Sequence, residues 1–313
     1  MGLGCWQIGW CWGDVSDTDA RRILKSAVDS GVNFFDTSDT YGDGRSERFL
    51  KDVLRSKNNE IYVTTKLGRR IRGTNYARGY KHEPIEEFVD RSLVNLGVEA
   101  IDLLQLHCPP VAILRKEDTF PALDRLVEKG KVIHYGVSVY NLSEAVEAIK
   151  NPRVKSIQLV FNIFRQQAAD WFFAKARQAG VALIARGPLA SGLLSGQINK
   201  DTKFPENDHR NYNSKGEAFD IGDTFSGVSL SKGVRAVEEL KKIVPPGMSI
   251  VQLSIKWILM HRDITVVIPG AVNHSQVLEN ISASHADDIS HLMADISDIY
   301  EKFIREEVHD KWQ

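Results

Sequence analysis

The sequence predicts a parallel (β/α)8 barrel, a TIM barrel, formed by residues 1–313 as one domain. Short apolar segments alternate with amphipathic ones along the chain, and no linker or composition break interrupts the alternation. The predicted second strand is apolar on both faces, as expected for a strand covered on both sides. A doubly wound sheet is less favoured, because Gly2, Gly4 and Gly9 lack the Gly-x-Gly-x-x-Gly spacing typical of its first turn.

Eight strands are predicted in order along the chain, each of a length suited to one strand of a barrel. They cover residues 2–8, 32–35, 61–65, 101–106, 133–139, 156–161, 181–185 and 265–268. Helical periodicity predicts the helices between them at residues 16–30, 46–54, 84–96, 120–128, 143–149, 168–179, 230–243, 249–260 and 275–281.

Start and stop signals support the helices. Ser16 has Asp19 three residues on, a capping-box pattern, and Gly31 ends that helix. Pro84 suits the first turn of the third helix, and Gly97 follows its end. These signals place helices between the strands independently of the apolar periodicity.

An extra helix is predicted near the carboxyl terminus. Apolar residues recur there at helical spacing, at positions 289, 292, 293, 296, 299, 300 and 303. We interpret the helix as packed on the barrel wall; a coiled-coil dimerisation segment is less favoured because the run is short. Two long connections, 68–83 and 192–229, are expected to overhang the catalytic face, and the first is rich in arginine.

Composition excludes several classes of function. The 40 basic and 41 acidic residues give a net charge of −1, so neither nucleic acid nor an anionic membrane is an expected partner. Cys5, Cys11 and Cys108 form no disulfide framework and no metal-binding spacing, which favours a reducing cytoplasm and no metal site. We see no signal peptide and no apolar run long enough to cross a bilayer.

Four polar residues lie at the carboxyl ends of predicted strands. Asp36 follows the second strand and Tyr41 lies in the turn after it; Lys66 follows the third strand and His107 the fourth. Each alone has a structural interpretation, such as a cap or a core histidine. Because carboxyl strand ends share one face of a barrel, their joint placement favours a catalytic site.

The chemistry of this set suits a proton donor. A phenol with a pKa near about 10 is a weak acid, and a neighbouring cation such as Lys66 would lower that pKa. Asp36 would hold Lys66 in place and charged, and His107 would donate a hydrogen bond to the substrate oxygen that Tyr41 protonates. The set therefore suits general-acid assistance to a carbonyl that accepts hydride.

At these residues the chain closely resembles the aldo-keto reductase superfamily, in its bacterial-type form. Asp36, Tyr41-Gly42, Gly44-Arg45-Ser46-Glu47, Thr65-Lys66 and Leu106-His107 match the family's motifs. The resemblance implies that Tyr41 is the proton donor, that Lys66 and Asp36 tune it, and that His107 orients the carbonyl. It also implies hydride transfer from a nicotinamide cofactor, NADPH by family default.

The resemblance also implies cofactor contacts around the barrel mouth. The matching positions are Gly4, Cys5, Trp6, Asp36, Ser138, Gln158, Arg186, Gly187, Pro188, Leu189, Ser191, Gly192, Gly270, Gln276, Glu279 and Asn280. Ser138 and Gln158 would bind the carboxamide, Arg186 would stack on the nicotinamide, and the 187–193 segment would bind the pyrophosphate.

Two departures from the family pattern bear on the cofactor. Val139 stands where asparagine is usual, so one carboxamide contact is either lost or supplied by Asn141. Gly270 and Gln276 stand where NADP-preferring members carry lysine or arginine, which leaves NADH open as well as NADPH.

The sequence thus predicts an NAD(P)H-dependent reductase of an aldehyde or ketone, sugar-derived carbonyls included. Trp10, Trp12, Tyr41 and His107 are the expected substrate-binding residues. Two alternatives stay open: an NAD(P)-dependent sugar or alcohol dehydrogenase, and a nicotinamide-binding regulatory subunit similar to potassium-channel β subunits. The substrate's identity and the oligomeric state are not predicted.

Overall fold

Eight parallel strands form the centre of the molecule. The structure, a computed structural model, describes residues 1–9, 15–55, 60–69 and 85–313. The strands follow one another around the sheet in chain order, from β1 to β8. They are Leu3–Gly4 (β1), Phe34–Asp36 (β2), Tyr62–Leu67 (β3), Ile101–His107 (β4), Val132–Ser138 (β5), Val154–Val160 (β6), Ala182–Arg186 (β7) and Ile264–Val267 (β8).

Hydrogen bonds between the first strand and the last close the sheet on itself. The amide of Gly2 donates to the carbonyl of Val267 at 2.9 Å, and that of Gly4 donates to Pro269 at 3.0 Å. An isolated parallel bridge between Gly4 and Gly270 lies at the same junction, so the two edge strands meet and the barrel is nearly closed. The predicted (β/α)8 barrel is confirmed.

Helices surround the strands where the sequence places them. In the described residues they are Asp17–Asp29, Arg45–Arg55, Ile85–Leu96, Val111–Leu114, Thr119–Glu128, Leu142–Ala148, Ala168–Gln178, His209–Tyr212, Leu230–Ile243, Ile250–Leu259, His274–Ser282, Met293–Phe303 and Arg305–Val308. The predicted amino-terminal cap at Ser16 is present, since Ser16 Oγ accepts from the amide of Asp19 at 3.1 Å. Pro84 lies outside the described residues.

The first strand is shorter than predicted. The sequence places it at residues 2–8, but it ends at Gly4 and a 3-10 turn, Gln7–Gly9, follows. Arg45 explains part of the change, because its guanidinium donates to the carbonyls of Ile8 and Val15. That carbonyl of Ile8 is thereby satisfied away from the strand ladder.

The core lies inside the barrel and between the strands and helices. Phe35, Leu106, Val137 and Ile157 are fully buried from four different strands. Burial of one such side chain contributes about 1.5–3 kcal/mol relative to exposure, so the barrel is a stiff frame for the loops above it.

The extra helix is present at Met293–Phe303, where Ile296 and Tyr300 are buried. It packs against Leu230–Ile243, and a further short helix, Arg305–Val308, follows it. None of the helices in the described part of the chain has both the length and the apolar character that crossing a bilayer requires.

Candidate active site

The barrel brings the four predicted catalytic residues to one rim. The parallel register pairs Asp36 with Thr64, and Lys66 with Gln105, so β2, β3 and β4 end at similar heights. Tyr41 is carried by the turn after β2, where its amide donates to the carbonyl of Ser38 at 3.1 Å. Residues distant in sequence therefore meet because parallel strands end on a common face.

Lys66 lies at the centre of the cluster and is only 1% exposed. Its Nζ donates to Asp36 Oδ1 at 2.5 Å, to the Thr37 carbonyl at 2.9 Å and to the Tyr41 hydroxyl at 3.3 Å. Gln158 Nε2 donates to the other carboxylate oxygen, Oδ2 of Asp36, at 2.7 Å. The buried ion pair is therefore held by hydrogen bonds on both sides, as a buried charge requires.

The pKa of Tyr41 differs in direction from the sequence-based expectation. Burial raises the pKa of this phenol well above its usual value, and the Asp36 carboxylate raises it further, while Arg186 and Arg69 oppose the rise. Lys66 does touch the hydroxyl, yet the net direction of the pKa is upward. Tyr41 is consequently a neutral phenol, which keeps its proton until a strong base develops beside it.

His107 is an uncharged imidazole. Burial is the main cause of a pKa well below the usual value, and the Arg69, Lys66 and Arg186 cations lower it further. Its Nδ1 lies 3.1 Å from Ser38 Oγ, and its Nε2 lies 3.5 Å from Arg69 Nη1. Its ring stands edge-on to that of Tyr41, with centroids 6.0 Å apart.

A cleft of about 510 Å³ extends from these residues across the barrel mouth. Most predicted site residues line it: Gly4, Trp6, Asp36, Tyr41, His107, Ser138, Gln158, Arg186, Gly187, Pro188, Leu189, Ser191, Gly192, Gly270, Gln276, Glu279 and Asn280. Lys66 lies behind Tyr41. Cys5 does not line the cleft, because its side chain is buried in the core. Trp10 and Trp12 lie outside the described residues.

At the predicted nicotinamide end, Asn141 is not available as a substitute for the missing asparagine. Its amide Nδ2 and its backbone N–H both donate to the Glu144 carboxylate at the start of a helix, and it does not line the cleft. Val139 is buried. The geometry therefore disfavours Asn141 as a substitute, and the loss of one carboxamide contact stays a prediction.

Arg186, the predicted stacking residue, is held in place from the long connection. Its Nη1 donates to Asp223 Oδ1, and its Nη2 donates to the Val139 carbonyl at 3.2 Å. The Tyr140 ring lies 5.6 Å from its guanidinium carbon. Its charge is thus balanced and its plane is restrained.

The predicted pyrophosphate loop has left-handed backbone at successive residues, and the amides of Ala190 and Gly192 donate to carbonyls within the loop. Ser191 and Gly192 have φ of 56° and 88°, so successive amides turn along the cleft wall. Such a turn is a common anion-binding arrangement. Arg210 lies against it, since its Nη1 donates to the Ser191 carbonyl at 3.3 Å.

At the predicted adenosine end, the lysine or arginine position of the family is filled differently. A Cβ on Gly270 would lie 2.0 Å from Gln7 Nε2, so a side chain at 270 would require the Gln7 amide to move. Gln7 Oε1 is buried and has no hydrogen-bond partner among the described residues. Gln276 is exposed, and its side chain accepts from the amide of Val272 at 2.9 Å.

Several residues of the cleft were not identified from the sequence. Gln7 and Asp223 line the cleft and Ser38 contacts His107 from behind it; they are common polar residues with no motif to mark them. Trp6 was identified, but its packing against His209, with centroids 4.8 Å apart, joins segments that are distant in sequence. The unusual length of the 192–229 connection was the one feature of the sequence that indicated a role for this segment in the cleft.

Together these features define a class of protein: a barrel oxidoreductase with a tyrosine, lysine, aspartate and histidine at the mouth of an elongated cleft. The family model described as the aldo/keto reductase family matches residues 1–301. The chain therefore belongs to the aldo/keto reductase family.

Individual relatives span similar lengths. The uncharacterized oxidoreductase YqkF of Bacillus subtilis is 29% identical over 290 residues, which cover 91% of this chain and 87% of that protein. The Schizosaccharomyces pombe aldo-keto reductase yakc [NADP(+)] is 27% identical, with 98% and 87% covered. A probable voltage-gated potassium channel subunit beta of Arabidopsis thaliana is 29% identical, with 85% and 81% covered.

The fold is also similar to a solved structure, that of the glycerol dehydrogenase AKR11B4 from Gluconobacter oxydans. The TM-score is 0.76 at 27% identity, and the match covers 100% of this chain and 93% of that one. The barrel fold is thus shared along the whole chain.

Proposed function

We propose that the protein reduces an aldehyde or ketone with NADPH, and that Tyr41 is the general acid. The observation that carries the proposal is the contact of the Tyr41 hydroxyl with Lys66 Nζ at 3.3 Å, at the end of the cleft. A neutral phenol that touches a buried ammonium is suited to give up its proton to a developing alkoxide.

The residues of the cleft fit a dinucleotide. The turned backbone at Ser191 and Gly192 suits a pyrophosphate, and at the far end Gln7 offers a buried acceptor that no other described residue contacts by a hydrogen bond. Gln158 and Ser138 face the nicotinamide end beside Asp36. When bound there, NADPH would supply the hydride that reduces the carbonyl carbon.

The protein's own residues would then handle the proton. Tyr41 gives its hydroxyl proton to the carbonyl oxygen as that oxygen becomes an alkoxide, and it regains a proton from water afterwards. Lys66 stabilises the transient phenolate through its 3.3 Å contact. In the tautomer in which Ser38 Oγ donates to Nδ1, His107 donates from Nε2 to the same oxygen, which takes the place of Arg69 Nη1 beside Nε2.

NADPH is favoured over NADH by the family and by the name of one relative, the fission-yeast protein designated for NADP(+). The adenosine end of this chain provides polar groups for the extra phosphate, at Asn273, Gln276 and the amino terminus of the His274–Ser282 helix. These are weaker than the fixed cation of other members, so NADH remains a usable cofactor.

The test is a set of initial rates with aldehydes, ketones and ketosugars, with NADPH and NADH, and in the oxidative direction with alcohols and polyols. Faster carbonyl reduction with NADPH supports the proposal. Faster oxidation of alcohols would favour the dehydrogenase reading, which the similarity to a glycerol dehydrogenase supports.

A second candidate is a nicotinamide-binding regulatory subunit, supported by the similarity to a probable channel β subunit. It predicts tight NADPH binding with negligible turnover of every carbonyl tested, and recovery of a membrane protein by pull-down. Turnover at ordinary enzyme rates without a membrane partner would reject it.

A further inference from the structure

We propose that Trp312 is a positioning residue for the cofactor, acting through the 220–227 segment that covers the nicotinamide end of the cleft. The inference rests on the proposed function, because it assumes that a nicotinamide cofactor occupies the cleft beside Arg186. Trp312 does not line this cleft. It acts from behind the segment that does.

The 220–227 segment forms one wall of the site. Gly222, Asp223 and Ser226 line the cleft. Asp223 has two separate functions there: its carboxylate accepts from Arg186, and its backbone carbonyl accepts from Ser191 Oγ at 2.8 Å. The position of this one residue therefore determines both the stacking guanidinium and the pyrophosphate turn.

Trp312 fixes the segment from its outer side. The indole is 4% exposed, and its Nε1 donates to Asp220 Oδ1 at 3.0 Å. Asp220 Oδ1 also accepts from the amide of Gly222 at 2.7 Å. The indole hydrogen bond thus reaches the backbone one residue before Asp223.

The indole itself is held in place by the barrel. The guanidinium carbon of Arg165 lies 3.9 Å from the ring centroid, and the Trp312 carbonyl accepts from the amide of Leu142 at 3.0 Å. Arg165 also donates to the Tyr140 carbonyl at 2.6 Å. Because these partners follow β5 and β6, the tryptophan connects the segment to the rigid frame.

Packing between segment and indole is close enough to be sensitive to one methyl group. A Cβ on Gly227 would lie 2.2 Å from Trp312 Cη2, and the φ of Gly227 is 79°. Any side chain at 227 would push the segment and the indole apart. Gly227 and Trp312 are therefore complementary surfaces of one contact.

This contact lies outside what the family model describes. The match ends at residue 301, and Trp312 follows it. Trp312 thus stabilises a wall of the cleft from outside the matched residues. That placement makes Trp312 a means by which this chain can set cofactor affinity without changing the catalytic residues.

The experiment compares Trp312→Ala with Ile296→Ala in the full chain. Ile296 is buried in the Met293–Phe303 helix, so its truncation destabilises the fold without touching the 220–227 segment. Hydrogen exchange of the segment is measured without nucleotide, and NADPH affinity, substrate KM, kcat and Tm are measured for each variant.

We expect Trp312→Ala to speed exchange in residues 220–227 and to weaken NADPH binding about tenfold, the factor that corresponds to one hydrogen bond of ordinary strength. The KM for the carbonyl substrate should stay near the wild-type value, and Ile296→Ala should change Tm but not NADPH affinity. Trp312→Phe, which keeps the stack on Arg165, should fall between Trp312→Ala and wild type.

Unchanged exchange in Trp312→Ala, or an equal loss of affinity in both alanine variants, would overturn the role of Trp312. Gly227→Ala approaches the same contact from the other side and should reproduce the affinity loss if Trp312→Ala does not fold. Failure of the wild-type protein to bind NADPH would instead reject the proposed function, which is a separate outcome.

Discussion

The two ends of the cleft are built from different kinds of residue. At the reaction end, Lys66 and Asp36 are buried and paired at 2.5 Å, and Thr37, Tyr41 and Gln158 are hydrogen-bonded to the pair. At the adenosine end, Gln276 is exposed and bonded to a local amide, and Gly270 carries no side chain.

This difference predicts which residues of the cleft can be substituted at little cost and which cannot. A buried charge that loses its partner costs several kcal/mol, whereas an exposed polar group exchanges its partner for water at little cost. The catalytic end should therefore tolerate almost no substitution, while cofactor preference should respond to single changes. Substitutions at the two ends test that contrast.

Tyr41→Phe should have the largest effect. It removes the transferable proton and little binding surface, so kcat should fall about 10²- to 10⁴-fold with NADPH affinity nearly unchanged. Rapid-mixing or initial-rate kinetics measure the loss, and nucleotide titration measures the affinity. Tyr300→Phe, the same change in the outer helix, is the matched control; retained turnover in Tyr41→Phe would refute the assignment.

Lys66→Met should destabilise the fold as well as stop catalysis. It leaves the Asp36 carboxylate buried without its cation, at a cost of about 3–5 kcal/mol. Denaturant unfolding measures the cost. The double variant Lys66→Met/Asp36→Asn removes both charges and should recover much of the stability but none of the activity; a double variant no more stable than Lys66→Met would contradict the ion-pair account.

The pH dependence of reduction should lack the usual histidine step. Because burial and neighbouring cations lower the pKa of His107 well below its usual value, the imidazole stays neutral as pH falls through about 6.5, the ordinary value. The logarithm of kcat should be level from pH 8 down to below pH 6 and decline only at lower pH. A midpoint near 6.5 that disappears in His107→Asn would show that the imidazole titrates normally.

Gln276→Arg should have the smallest effect. An exposed cation near the 2′-phosphate contributes about 0.5–1 kcal/mol, which corresponds to a two- to fivefold gain for NADPH relative to NADH. The ratio of kcat/KM for the two cofactors measures it, and added salt should reduce the gain. Gln276→Leu controls for loss of the amide; an unchanged ratio would mean that the phosphate lies elsewhere.

The reaction end was predicted from the sequence because its residues follow a local rule. Asp36, Lys66 and His107 each end an apolar strand, and parallel strands bring such ends together whatever lies between them. The adenosine end could be aligned by family resemblance, but the role of Gln7 could not. Its amide fills the space above Gly270 only because β1 and β8 meet when the barrel closes.

The contact between the 220–227 segment and Trp312 could not be predicted from the sequence, for a related reason. Asp220 and Trp312 are 92 residues apart and lie in irregular segments without periodicity. No local sequence pattern therefore predicts their contact. The same holds for the hydrogen bond from Gln158 to Asp36, which spans 122 residues between two strands. Such pairs depend on how the closed barrel and its loops bring distant segments together.

The amino-acid sequence by itself determined the strand–helix alternation, the closed barrel that follows from it, and the identity of the four residues at the reaction end. Periodicity and strand ends are local properties, so they can be read without knowledge of neighbours. Only the tertiary structure decided that Tyr41 holds its proton more tightly than a free phenol. A pKa depends on burial and on every nearby charge, and those are set by the whole fold.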